Sequence, residues 1–141
     1  MIAYFDTAAV IPLIIEELST ESCTLMWNES SRVVSTRLLY PEARAALAKA
    51  QRMGRLSPSQ LRAAVDELDA LLVQIDHIEV SEELAQVAGE MAQAHGLRGY
   101  DAVHLAAAVT VADGDLVLVT GDADLAAAAG ELGLPVAVTS A

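Results

Sequence analysis

From Ala102 to Ala112 the chain reads AVHLAAAVTVA, a helix-length run without a single Asp, Glu, Lys or Arg. A helix that is apolar nearly all round is stable only when other structure covers it on every side. Two further runs, IAYF at 2–5 and LVLV at 116–119, are short, continuous and apolar. Strands of that kind are buried on both faces, as in a parallel sheet. Strands alternating with helices then predict an α/β protein whose mainly parallel central sheet is flanked by helices. With 141 residues, 54% of them hydrophobic, the chain is expected to fold as one domain over 1–141 with a substantial core, which excludes a disordered chain.

Local signals mark the elements. A strand over Ile2 to Phe5 ends at Asp6, and a helix is expected from Thr7 to Leu18, with Pro12 tolerable only near its first turn. Val33 and Val34 suggest a second strand. Ser35 or Thr36 would cap a helix running to Met53 and closed by Gly54, with a break or kink at Pro41. Ser57-Pro58-Ser59-Gln60 offers a capping serine, a proline at the first helical position and a glutamine at the third, predicting a helix to Leu72. Gln74 to Val80 reads as a strand, and Ser81 caps a helix that ends at His95-Gly96. Asp101 heads the apolar helix, Asp113-Gly114 turns it into LVLV, Asp122 to Ala129 is a short helix closed by Gly130, and Val136 to Val138 is the last strand.

Composition excludes several classes. No apolar run reaches the roughly 20 residues of a membrane span, and MIAYF lacks the basic start and cleavage site of a secretory signal. A soluble cytoplasmic protein without a membrane partner is expected. The lone Cys23 rules out an internal disulfide and a cysteine-based zinc site. A net charge of −12 argues against nucleic acid until its distribution is considered. Seven of the eight basic residues lie between Arg32 and Arg62, a stretch holding one acid, Glu42. Such asymmetry can steer a polyanion to one side of an acidic body.

The acids carry the chemistry. Ligands of open parallel sheets bind outside the carboxyl ends of the strands. Asp6 follows IAYF and Asp122 follows LVLVTG; Asp101 stands at a helix start expected on the same edge, where it would also cap that helix. With Glu42, four acids from four distant segments can converge. Carboxylates about 5 Å apart repel by roughly 3 kcal/mol at an effective dielectric of about 20, so four together require shared protons or a cation. An all-oxygen donor set selects Mg²⁺ or Mn²⁺, and such ions activate water against a phosphodiester.

Taken in order, Asp6-Thr7-Ala8-Ala9, the isolated Glu42 after Ser35-Thr36, then RGYDAVHLAAA and LVTGDADL resemble the PIN-domain nucleases over essentially the whole chain. More closely they resemble the VapC-type toxins of bacterial toxin–antitoxin pairs. The resemblance implies a PIN-like three-layer sandwich and a metal-dependent endoribonuclease. It places the metal-binding and catalytic acids on Asp6, Glu42, Asp101 and Asp122, with Thr120 as the hydroxyl two residues before the last acid. It also implies Mg²⁺ or Mn²⁺ as cofactor, tRNA or ribosomal RNA as substrate, a cognate antitoxin that blocks the site, and a homodimer. Asp124 is an additional acid that some relatives use as a ligand, and Leu125 stands where an aromatic residue is common.

The remaining residues read more plainly. His104, one turn after Asp101, is expected to be a packed, hydrogen-bonded core histidine rather than a general base. Thr7 is expected to cap the first helix. Arg37 and Arg44 would share a face if their helix were continuous, and phosphate contact suits them. The alanine runs 106–108 and 126–129 suit close helix packing or a dimer seam. The alternatives are a DNA or structure-specific nuclease of the same fold and a catalytically inactive PIN-like binding protein. A phosphoacceptor receiver lacks its lysine, because Lys49 falls on a helix. A nucleotide-binding oxidoreductase lacks a G-x-G-x-x-G after the first strand.

Overall fold

Among the described residues five strands pair side by side and all run the same way, so the sheet they form is parallel throughout. They are β1 (Ile2–Phe5), β2 (Arg32–Thr36), β3 (Ile75–Ile78), β4 (Leu116–Thr120) and β5 (Val136–Val138), in spatial order β3-β2-β1-β4-β5. This is a computed structural model, and it describes residues 1–139. Seven α-helices among the described residues complete it: α1 (Thr7–Val10), α2 (Thr20–Glu29), α3 (Leu39–Arg52), α4 (Pro58–Leu72), α5 (Glu82–His95), α6 (Gly99–Val111) and α7 (Ala123–Glu131).

The pleat of β1 sends alternate side chains to opposite faces, and two cores result. Ala3 and Phe5 join Leu39, Leu47 and Leu68 under α1–α4. Tyr4 joins Leu105, Leu118 and Leu125 under α5–α7. The expected three layers are therefore present. Helix α6 carries one charge, Asp101 in its first turn; beyond it Leu105 and Ala106 to Ala108 are fully buried, while Val103, Val109 and Val111 are half-buried.

The chain builds outward from β1 through β2 to β3, then returns to add β4 on the other side of β1. The order reverses between β1 and β4, whose Phe5 and Val119 lie in register. At such a switch point the connections diverge and leave a crevice at the carboxyl ends of the strands.

Several local expectations hold. Ser57 and Gln60 form a complete capping box on α4, Ser81 caps α5, and Gly96 ends α5 with φ +64°. Others need correction. No single helix spans Thr7 to Leu18: α1 stops at Val10 and tightens into a 3₁₀ turn, Ile11–Leu13. Pro12 would sit too deep in that helix, where it has no N–H to give and crowds the preceding turn. The hydroxyl of Thr20 binds the carbonyl of Pro12 at 2.7 Å and the N–H of Glu17 at 2.8 Å, and this turn launches α2, which the sequence reading did not foresee.

Ser35 and Thr36 do not cap α3; they are the buried end of β2. The helix starts at Leu39, so Pro41 lies in its first turn, where no N–H is required, and α3 runs unbroken to Arg52. Arg37 precedes the helix and pairs with Glu79, so it does not share a helical face with Arg44. Gly130 lies inside α7, and Gly133, at φ +79°, follows the helix end.

Candidate active site

Both strand-end aspartates cap the helix that follows them. Asp6 Oδ1 accepts the N–H of Ala9 at 2.9 Å, and Asp122 Oδ1 accepts the N–H of Leu125 at 2.9 Å. Each carboxylate thus meets the positive end of a short helix at the carboxyl edge of the sheet. Asp101 is placed differently. Helix α6 begins at Gly99 with Arg98 as its N-cap, so Asp101 lies inside the first turn and caps nothing.

Thr120 ties the first and last acids together. Its fully buried hydroxyl donates to Asp6 Oδ2 and accepts the N–H of Asp122 at 3.0 Å. The pattern T-x-D after β4 is thereby explained: the strand ends in a hydroxyl that fixes the acid beside it and the acid of the neighbouring strand.

Glu42 reaches the same edge from α3. Its Oε1 accepts the Thr7 hydroxyl at 2.9 Å and faces His104 Nε2 at 2.8 Å. Thr7 therefore orients an acid rather than capping α1. His104 is buried and hydrogen-bonded as expected, with Tyr4 Oη 2.8 Å from its Nδ1. Its other partner, an acid of the cluster, was missed. The spacing places His104 on the helix face of Asp101, three residues away on α6, and carries no signal for its contact with Glu42.

The electrostatics reflect this crowding. Burial, opposed in part by His104 and the Thr120 hydroxyl, pushes the Asp6 carboxyl up to about 6. Burial and the charge of Asp122 raise Asp101. Burial also works to raise Glu42, but the hydrogen bonds from His104 and the Thr7 hydroxyl outweigh it and leave that carboxyl below its ordinary value. One cation serves the outer pair. Arg98, 87% exposed, stands 3.5 Å from Asp101 and 4.0 Å from Asp122, and it is the sole basic residue outside the Arg32–Arg62 stretch.

All four expected acids therefore share one sheet edge. Asp124 does not join them as a hydrogen-bonded partner; it is exposed on α7 and lines a cleft with His95 and Glu131. Among the described residues no three acidic, histidine or cysteine side chains are packed closely enough to hold an ion by themselves. The donor set is nonetheless all oxygen, and its repulsion is only partly relieved by Arg98. Both features fit a hard divalent ion that keeps much of its water shell.

The basic region is partly neutralised. Arg32 pairs with Asp76, Arg37 with Glu79 and Arg55 with Glu17. Arg44 donates to the Tyr40 hydroxyl at 2.8 Å and flanks, with Arg62, an apolar-floored groove between α3 and α4 of about 580 Å³.

This architecture agrees with comparisons to known proteins. The PIN domain model matches residues 3–131, and the chain belongs to the PIN-domain family. It is 38% identical over 136 residues to Ribonuclease VapC45 and to Ribonuclease VapC49, both of Mycobacterium tuberculosis, covering 96% of this chain and 94% of each relative. Among solved structures, PAE2754 from Pyrobaculum aerophilum superposes with a TM-score of 0.68 at 27% identity, covering 95% of this chain and 82% of that one. VapBC-5 from M. tuberculosis, a member of the VapBC family of toxin–antitoxin systems, superposes at 0.62 with 19% identity, covering 97% and 98%.

Proposed function

We propose that this protein is an endoribonuclease toxin that hydrolyses RNA phosphodiester bonds with a divalent metal and is neutralised by a cognate antitoxin. The observation that carries the reading is the convergence of Asp6, Glu42, Asp101 and Asp122 on the carboxyl edge at the β1–β4 switch point. The likeness over nearly the full chain to relatives named as ribonucleases supports RNA as substrate.

Asp6, Asp101, Asp122 and Glu42 are the residues that would hold Mg²⁺ or Mn²⁺. When bound, the ion lowers the pKa of water and offsets charge on the scissile phosphate. The chain's own contribution is orientation. Thr120 and the Ala9 N–H hold Asp6 from both sides, and the first turn of α7 holds Asp122. Thr7 and His104 hold Glu42. Arg98, exposed at the rim, is the cation available to the substrate's phosphates, and the α3–α4 face supplies further positive charge.

The antitoxin partner follows from the resemblance to VapC toxins, with the α3–α4 groove as a surface suited to an amphipathic segment. A homodimer and a tRNA or ribosomal RNA target belong to the same reading. The test is cleavage of total cellular RNA by purified protein with Mg²⁺, with Mn²⁺ and with EDTA, beside Asp101→Asn. Discrete fragments that require metal and vanish in the variant are expected. Cleavage of DNA alone, or fragments that persist in EDTA, would overturn it.

A further inference from the structure

A histidine that is only 2% exposed, in a helical stretch from Ala102 to Val109 otherwise built of alanine, leucine and valine, is costly unless both ring nitrogens find partners. His104 has them, and they lie on opposite sides of its ring. On the Nδ1 side stands Tyr4, fully buried, its ring edge-on to the imidazole with centroids 5.8 Å apart. The phenol is an O–H group at neutral pH. In the neutral ring the Tyr4 O–H, 2.8 Å away, donates to Nδ1, because Nε2 faces a carboxylate oxygen that can only accept and so carries the ring proton. That N–H faces Glu42 Oε1 at 2.8 Å.

The same carboxylate oxygen accepts the Thr7 hydroxyl at 2.9 Å. Two donors from two different helices converge on Oε1, and among the described residues no group bonds to Oε2. The arrangement also bridges the layers. Glu42 rises from the helices on one face of the sheet, His104 from those on the other, and they meet over the edge that carries Asp6.

We infer that His104 is a positioning residue: with its Nδ1 bonded to Tyr4, its Nε2–H and the Thr7 hydroxyl fix one oxygen of Glu42 so that the other is presented to a divalent cation. The inference deepens the metal-dependent reading above and rests on it. A histidine that merely filled the core would affect cation affinity only in step with stability. A positioning histidine separates the two, because donors behind a ligand set the ligand's orientation.

The experiment measures Mg²⁺ affinity calorimetrically in parent and variants, with no RNA present, beside urea unfolding of each. His104→Gln places an amide N–H near the position of Nε2 and gives up the contact to Tyr4. His104→Asn keeps a polar group near Nδ1 and loses the donor to Glu42. Thr7→Val removes the second donor from a partly exposed site without disturbing the core. The expected result is a Mg²⁺ Kd within about threefold of the parent for His104→Gln and weakened roughly tenfold or more for the other two, whatever the order of their stabilities. In the metal-free parent, ¹⁵N shifts of the imidazole should report the Nε2–H tautomer.

Equal weakening in His104→Gln and His104→Asn, affinities that simply follow stability, or an Nδ1–H tautomer would overturn the positioning role while leaving the metal reading intact. If His104→Asn does not fold, Thr7→Val and the tautomer decide the matter. A parent that binds no Mg²⁺ would overturn the metal reading and this inference with it.

Discussion

The Thr120 hydroxyl donates to the Asp6 carboxylate across the β1–β4 boundary, joining residues 114 positions apart in the chain. Because Asp6 is only 3% exposed, that donor supports a carboxylate with little access to water. Thr120→Val should therefore lower stability by about 1–3 kcal/mol, the range for leaving a buried polar group without its partner. It should also cut RNA cleavage at least several-fold, whereas Thr120→Ser should stay near the parent. Urea unfolding and a cleavage time course check both. A Val variant as stable and active as the parent would show that the tie is incidental.

Asp6 also sets a pH dependence. Its folded value, about 6, lies above the ordinary 3.8, so the folded state holds the proton more tightly than the unfolded chain does. The resulting stability is fully present below about pH 4 and is lost as pH rises through about 6, a change of about 3 kcal/mol. Glu42, lowered in the fold, contributes with the opposite sign. The stability of the parent relative to Asp6→Asn isolates the first term. Measured in EDTA by urea unfolding, that difference should fall between pH 4 and 7. A difference independent of pH would exclude the raised carboxyl.

Burial and then the like charge of Asp122 raise the Asp101 carboxyl, so the two acids repel one another. Asp101→Asn and Asp122→Asn should each abolish cleavage while raising the melting temperature of the metal-free protein by a few degrees. In the parent, Mg²⁺ at about 100 times its Kd should add about 2.7 kcal/mol by binding the native state, and the variants should lose most of that gain. Calorimetric melting with and without Mg²⁺ reads the stability effects, and an RNA cleavage assay reads the loss of activity. Active variants would remove these residues from the site.

Arg98 faces the same two carboxylates from solvent and competes there with any cation. Arg98→Gln should bind Mg²⁺ more tightly, by roughly two- to fivefold, the range that an exposed ion pair worth under about 1 kcal/mol permits. Weaker binding would mean that the guanidinium holds the carboxylates in place instead. Titration at two ionic strengths tests the assignment, because the gain should shrink as salt screens the pair.

Much of this protein is written in short-range patterns. Alternation of apolar runs with helical stretches determined the parallel three-layer fold, since a strand or helix with no polar face has nowhere to go but the interior. Capping chemistry at Ser57, Ser81 and Gly96 is local, and so was legible residue by residue. The order of the acids, with the runs RGYDAVHLAAA and LVTGDADL around two of them, marked the family. Proline was misread because its effect depends on its distance from a helix start. At Pro41 the start lay closer than expected; at Pro12 it lay at Thr7 as expected, and a proline five residues in ended the helix instead of being carried by it.

Other features were decided by the fold alone. No spacing rule brings Thr7 and His104 to Glu42, or Tyr4 to His104, because those contacts span 35 to 100 residues. Likewise only the folded chain puts Arg98 before Asp122 and Thr120 beneath Asp6. Hydrogen bonds and charges act over a few ångströms of space, whatever the separation along the chain. The sequence by itself therefore determined which acids were available, and the tertiary structure determined which partners aim them.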